Sequence, residues 1–413
     1  VATFNDILAS AKKKYEGIVT TVFKDDTYRD YPRFPSYVFD FDVAAAGGLP
    51  CGVAVHLYGA PGGGKTTFSH LMTKAVQKTC MHCLRPLPLC NCGNPQVGKV
   101  LYILTEGNSL DESYLLKLGI DVEYKEDGSW DEENNNIYRA LPEYGEQACD
   151  LIMAGVEAED ISLVIVDSVV GITSKAILDS SFADQHYGGD AKLLGKLVKK
   201  LNLQLIQEMK KKHNVGVIFI NQLRSKMNAG MYEEKEMTPG GWALRHACRL
   251  SIEAKRLATD PTERDADNKV NYADKFRLSM AGPTSKQQVF LIGGQADYRL
   301  VQRPFEGNVE GSTLDANQCL AVVKDQLGIF EKQGQYYTLL GLDWKFQKQA
   351  DFKDIFVTGQ YIDPVTGEVT EHADDIVKFT VAQVARSVAR RNIEEKYNKK
   401  VITIGNKEFT VDK

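Results

Sequence analysis

The stretch Val53–Ser69, VAVHLYGAPGGGKTTFS, limits what this chain can fold into more than any other. Val53, Val55 and Leu57 alternate with smaller or polar residues, the period-two pattern of a strand. Gly59-Ala60-Pro61-Gly62-Gly63-Gly64-Lys65-Thr66 then satisfies G-x-x-x-x-G-K-[ST] at every fixed position. The residue types follow from the chemistry of holding a polyphosphate. Glycines let successive backbone N–H groups turn inward around phosphate oxygens. The Lys65 ammonium is a point charge for β- and γ-phosphates, and the Thr66 hydroxyl is placed to ligate Mg2+. A helix beginning near Thr67 aims the positive end of its dipole at the same anion. The expectation is bound ATP with Mg2+ on an α/β chain.

Three further apolar runs, 100–104, 163–166 and 215–220, are each followed by polar residues, with helical patterns between them. That alternation predicts a mostly parallel sheet wound with helices, with ligands at the carboxyl ends of the strands. Leu163-Val164-Ile165-Val166-Asp167 is an apolar strand ending in an acid, the pattern that holds the hydration shell of a nucleotide-bound Mg2+. Glu106 follows the first run, in YILTEG, where a carboxylate either orients and deprotonates an attacking water or serves only as a loop or cap residue. Gln222 follows the third run, where a side-chain amide can sense a γ-phosphate by hydrogen bonding. Residues 223–241 then lose all periodicity and contain Arg224, Lys226, Tyr232, Gly240 and Gly241. Basic residues and an aromatic in a long loop suit single-stranded nucleic acid; the alternative is a solvated surface loop.

Beyond residue 249 the spacing shortens. Arg249–Arg256, Lys275–Met280 and Gln288–Ile292 read as strands of an antiparallel extension. The expected organisation is an N-terminal helix and linker over 1–35, an ATPase core over 36–340, and a small C-terminal α+β domain over 341–413. Phe4, Ile7, Leu8, Ala11 and Tyr15 give the first helix its apolar face. The net charge of -5 means that any nucleic-acid contact comes from a local basic patch. Arg386, Arg390, Arg391, Lys396, Lys399 and Lys400 form one such run, read either as a solvated helix face or as a secondary duplex contact. No apolar run is long enough to span a bilayer and the first residues lack a signal-peptide pattern, so a cytoplasmic location without membrane contact is expected.

Of the eight cysteines, four fall within the insert 80–93. Cys80-x-x-Cys83 followed by Cys90-x-Cys92 offers four thiolates for a tetrahedral Zn2+, with His82 as an alternative ligand. A short loop with two prolines and no core needs a staple, which a structural metal supplies. The competing reading is a set of free or redox-active thiols.

The chain resembles the RecA-type strand-exchange recombinases, including UvsX-like phage members, from about residue 36 to about residue 340. The matching stretches are AGGLPCGVAVHLYG, TEGNSLDESYLLKLGID, EYGEQACDL, LVIVDSVVGITSKA, DQHYGGDAKLLGKL, VGVIFINQLRSKM and TPGGWALRHACRLSI, in the family's order. The resemblance implies a RecA-like ATPase core. It makes Glu106 the catalytic glutamate and Gln222 the γ-phosphate sensor coupled to the second DNA loop at 223–241. It gives Tyr114 an adenine-stacking role and 177–189 the place of the first DNA loop, with Lys192 just after it. Arg224 and Tyr232 take the basic and aromatic positions of the second loop. The N-terminal helix matches the segment that docks on the next protomer. Bacterial members carry a lysine pair reaching ATP across the filament interface; here Arg277 and Ser279 stand there, so one charge remains. The implied function is an ATP-dependent recombinase that assembles into helical filaments on single-stranded DNA and pairs it with homologous duplex. Mediator or single-strand-binding proteins are admitted as further partners, and a viral member would work in its host's cytoplasm. A RecA-fold helicase or motor, and a single-strand-coating protein switched by ATP, are the alternatives.

Overall fold

The computed structural model describes residues 31–106, 110–127, 131, 135–181, 189–225, 236–238, 244, 247–257, 273–281, 294–301, 313, 316–398, 400–404 and 407–411. The helix expected over the first fifteen residues lies outside them, as does the strand expected at Gln288–Ile292.

The described chain opens with β1 (Arg33–Phe34), helix α1 (Phe39–Ala44) and β2 (Leu49–Pro50), the two strands pairing antiparallel. Buried Asp42 ties this segment together by accepting from the Ser36 N–H and hydroxyl and from the Tyr37 N–H. Burial pushes its carboxyl up to about 7, against those hydrogen bonds.

The central sheet follows. Its strands are β3 (Ala54–Gly59), β4 (Lys99–Leu104), β5 (Ile137–Ala140), β6 (Ile161–Asp167) and β7 (Gly216–Gln222). The short pair β8 (Arg224–Ser225) and β9 (Glu236–Met237) comes next, apart from this sheet. β10 (Leu250–Arg256), β11 (Ala273–Ala281) and β12 (Gln295–Val301) complete it. The eight strands lie in the order β12-β11-β10-β3-β7-β6-β4-β5. From β10 to β5 every pairing is parallel, and β11 and β12 are added antiparallel. The sheet is thus mostly parallel with an antiparallel extension, as the sequence predicts. The outer strand of that extension is β12, at 295–301, where the sequence analysis places no strand, and the expected strand Arg249–Arg256 is β10, which joins β3 in parallel. The pattern of β12 is legible in retrospect, because Ala296, Tyr298 and Leu300 are buried while Asp297 and Arg299 between them are not.

The helices are α2 (Lys65–Lys78), α3 (Glu112–Lys117), α4 (Gly145–Glu157), α5 (Lys175–Leu178) and α6 (Gly189–Lys210). They cover both faces, which explains why the central strands are mostly apolar on both sides. Leu163, Ile165, Ile218 and Ile220 face α1 and α2, packing with Phe41, Phe68, Met72 and Val76. Their neighbours Val164, Val166, Val217 and Phe219 face the other way, onto Ile152 and Val156 of α4 and Leu197, Leu201 and Leu205 of α6. Each such side chain contributes about 1.5–3 kcal/mol by leaving water.

A third core lies C-terminal to the sheet. It gathers α7 (Ala316–Ala321), the three-stranded sheet β13 (Phe330–Gln333), β14 (Tyr336–Leu339) and β15 (Trp344–Phe346), and α8 (Gln349–Thr358). The hairpin β16 (Tyr361–Ile362) and β17 (Val369–Thr370) and the long helix α9 (Ala373–Asn398) complete it, and β18 (Lys400–Ile404) and β19 (Lys407–Val411) form a last ribbon. Phe330, Phe346, Phe352, Val377 and Val381 form its centre, and Phe39 of α1 enters from the main body. The pair Lys78–Asp375, 2.7 Å, joins the end of α2 to α9. Arg386 donates to the Tyr31 carbonyl at 3.0 Å; the side chains of Arg390, Arg391, Lys396, Lys399 and Lys400 lie outside the described residues.

Candidate nucleotide site and cysteine cluster

Parallel pairing brings strand ends together. Gly59 at the end of β3 sits opposite Gln222 at the end of β7, and Leu104 at the end of β4 opposite Asp167 at the end of β6. The glycine loop, Asp167, Glu106 and Gln222 therefore share one edge of the sheet, although they span more than 160 residues of chain.

The loop 59–64 turns from β3 into α2. Gly64 caps α2 in the left-handed region at φ 93°, and a Cβ there would come within 2.5 Å of the Phe276 ring. Gly62 is also left-handed, at φ 71°, with open space where a Cβ would stand. The N-terminus of α2 has no side-chain cap and no acid in its first turn, so its N–H groups face an anion's position without competition. The Lys65 ammonium folds into the loop and donates to the carbonyls of Gly59 at 3.0 Å and Ala60 at 2.9 Å. Burial lowers its pKa, and the nearby charges of Asp167 and Glu106 oppose that. Exposed Thr66 hydrogen-bonds Asp167, whose carboxyl is raised first by burial and then by Glu106. A cradle of glycines with a cation inside and a hydroxyl beside a carboxylate is a donor set suited to a triphosphate and its Mg2+.

Glu106 and Gln222 come from strands separated by β6, yet Gln222 Nε2 donates to Glu106 Oε2 at 3.2 Å. Ser168 Oγ donates to Glu106 Oε1 at 2.7 Å. Ser168 is itself held by Thr105, whose hydroxyl donates to the Ser168 carbonyl at 2.5 Å and accepts from its N–H at 3.0 Å. Neither Ser168 nor Thr105 is given a role in the sequence analysis. The available signal was their position, each immediately beside a residue already singled out.

Tyr114 stands in the first turn of α3, which Asp111 caps by accepting from the Tyr114 N–H at 3.2 Å. Its hydroxyl lies 2.7 Å from Thr67 Oγ1, which brings the ring beside the phosphate loop. Behind it, buried His70 reaches the Tyr102 hydroxyl at 2.8 Å and packs edge-on against the Tyr114 ring. Burial pushes His70 down to about 4.

Arg277 alternates to the face of β11 opposite Phe276, and Asp297 grips its guanidinium with two contacts of 2.7 Å. Lys192 is exposed near the start of α6. The backbone of Arg224 pairs with Met237 in the β8–β9 ribbon. Lys226, Tyr232, Gly240 and Gly241 lie outside the described residues, as does most of 177–189.

The four clustered cysteines lie at the other end of α2. Their sulfurs all fall within 4.8 Å of one another, with Cys80–Cys92 and Cys83–Cys90 at 3.6 Å and Cys90–Cys92 at 3.2 Å. Tetrahedral Zn2+ with Zn–S near 2.3 Å asks for sulfurs about 3.8 Å apart, so the set fits that ion. Burial alone would raise the Cys80 thiol, but backbone N–H groups of Cys83, Gln96 and His82 bring it down to about 6. His82 instead bonds Gln96 Oε1 through Nε2 at 3.1 Å, outside the thiol set. The other four cysteines, Cys51, Cys149, Cys248 and Cys319, are buried singly in the cores. Among the described residues no helix is long and apolar enough to cross a membrane.

Residues 89–288 match the family model described as the RecA N-terminal domain. That match begins beyond the glycine loop, so the loop stands on its own residues. The chain is similar to Protein RecA of Aquifex aeolicus, 26% identical over 309 residues, covering 74% of this chain and 73% of that protein. It is 32% identical to Protein RecA of Sulfurimonas denitrificans over 250 residues, or 60% of this chain and 62% of the relative. Protein RecA of Francisella tularensis subsp. novicida is 27% identical over 336 residues, covering 81% of this chain and 79% of its own length.

Proposed function

We propose that this chain, which belongs to the RecA-type recombinase family, is an ATP-dependent DNA recombinase that forms filaments on single-stranded DNA and exchanges it with a homologous duplex. The observation that carries the reading is the contact of Glu106 with Gln222 at the edge of the sheet that also holds the glycine loop and Asp167. ATP with Mg2+ supplies a transferable phosphoryl group and the charge that makes its transfer electrophilic. The backbone of 59–64 and Lys65 bind and neutralise phosphate oxygens. Thr66 and Asp167 hold the metal ion. Glu106 orients a water and takes its proton, while Ser168 fixes the carboxylate that does so. Gln222 shares Glu106 and begins the second DNA loop, so a change at the phosphate end reaches residues 223–241 through one side chain. Arg224, Lys226 and Tyr232 of that loop, and Lys192 after the first, serve backbone and stacking contacts to a single strand. Tyr114 takes the adenine, and Arg277 acts across the interface between protomers. A structural Zn2+ in the thiol cluster completes the set of cofactors.

The test is ATP hydrolysis with and without single-stranded DNA, on wild type and Glu106→Gln. Turnover that rises with single-stranded DNA and disappears in the variant supports the reading. Turnover that persists in the variant overturns the assignment of Glu106, and duplex unwinding by closed rings overturns the recombinase.

A further inference from the structure

The thiol cluster does more than hold a metal. α2 begins at the phosphate loop and ends at Lys78, fourteen residues or about 20 Å away at 1.5 Å per residue, and Cys80 follows at once. The cluster therefore belongs to the end of the sheet where the parallel strands begin. From there the chain returns to β4 through a bridge between Cys80 and Val97.

The knuckle has little of its own to hold it. Leu87, Pro88 and Leu89 form a short turn with no buried residue, and Leu84 alone of its leucines reaches the main core. Leu84 is itself left-handed, at φ 56°, with its N–H donating to the Cys80 carbonyl at 2.9 Å. That turn presents two carbonyls outward. Asn214 takes both: its side-chain amide donates to Met81 O at 3.0 Å and His82 O at 2.9 Å. Asn214 stands two residues before β7, and the next residue, Val215, accepts from the Gly52 N–H at 2.8 Å. Four thiolates fill a tetrahedral zinc, so the ion has no open position for chemistry.

Resting on the zinc assignment above, we infer that the Cys80–Cys92 knuckle is a metal-set clasp. The Zn2+ fixes the Met81 and His82 carbonyls, Asn214 docks on them, and the entry of central strand β7 is thereby fastened to the far end of α2. Nucleotide chemistry at the opposite edge does not use it.

The experiment measures zinc content and site-resolved amide exchange on the full chain. It compares wild type, wild type stripped of zinc by a chelator in place, and Asn214→Ala. Leu84 reports the knuckle and Gly52 reports the entry of β7. The expected result is one zinc per chain in wild type and in Asn214→Ala. Stripping zinc should speed exchange at both Leu84 and Gly52 by about tenfold or more, whereas Asn214→Ala should speed it at Gly52 alone. ATP affinity should stay within about twofold throughout. Zinc that is present but leaves Gly52 unchanged on removal overturns the clasp and spares the metal site. Zinc-equilibrated wild type with a ratio near zero overturns the metal site and the clasp with it. Because stripping is done on folded wild type, the result does not depend on any cysteine variant folding.

Discussion

The two ends of α2 hold two sites built on opposite plans. At its N-terminus, the glycine loop, Asp167, Glu106 and Gln222 arrive from four parallel strands and meet only because those strands end in register. At its C-terminus, four thiols come from thirteen consecutive residues and close on themselves. The first site leaves polar and charged groups partly engaged: Lys65 rests on loop carbonyls, and Thr66 and Glu106 are exposed. That is the arrangement for a ligand that comes and goes. The second offers four thiols that would fill the coordination sphere of a tetrahedral ion, the arrangement suited to an ion that stays.

The comparison breaks if damage at one end reaches the other. The largest expected effect is Glu106→Gln, which should lower kcat for ATP hydrolysis by about 10²–10⁴ while nucleotide affinity and zinc content hold; steady-state kinetics with metal analysis checks it. Lys65→Ala should follow, losing about 10²–10³ in kcat together with nucleotide affinity, again with zinc retained.

Acid should strike the nucleotide end specifically. His70 is neutral and buried behind the phosphate loop, held down to about 4 by desolvation. A base whose folded pKa is depressed gives stability that is complete above its unfolded value, near 6.5, and lost as pH falls toward the folded one. The slope between those limits should carry on the order of 3 kcal/mol, and His70→Gln should flatten it in urea melts. An unchanged slope would mean that another group governs acid unfolding. The smallest effect is Ser168→Ala. Losing one hydrogen bond to Glu106 should cost about 1 kcal/mol of transition-state stabilisation, roughly tenfold or less in kcat, and Ser168→Thr should restore part of it.

What could be read in advance divides along similar lines. The glycine loop, Asp167, Glu106 and Gln222 were legible because each sits in a fixed spacing or ends an apolar run, and parallel topology makes run ends meet. The thiol cluster was legible because its cysteines are neighbours in sequence. Contacts between distant residues were not. Nothing about Ser168 says that it faces Glu106, nothing in Thr67 announces the Tyr114 hydroxyl, and Asn214 lies 133 residues from Met81. Asp297 meets Arg277 only through the register of β11 and β12, and β12 is a strand the sequence analysis did not place. Among α-helices, α1 was missed because its buried Asp42 breaks the apolar pattern that six residues would otherwise show.

The most direct measurement is strand exchange between a circular single strand and a homologous linear duplex, with ATP and Mg2+, imaged as it proceeds. The account predicts joint molecules and striated filaments from wild type, and none of the joint molecules from a heterologous duplex. Filaments that never yield joint molecules, or unwinding of the duplex without pairing, would contradict it.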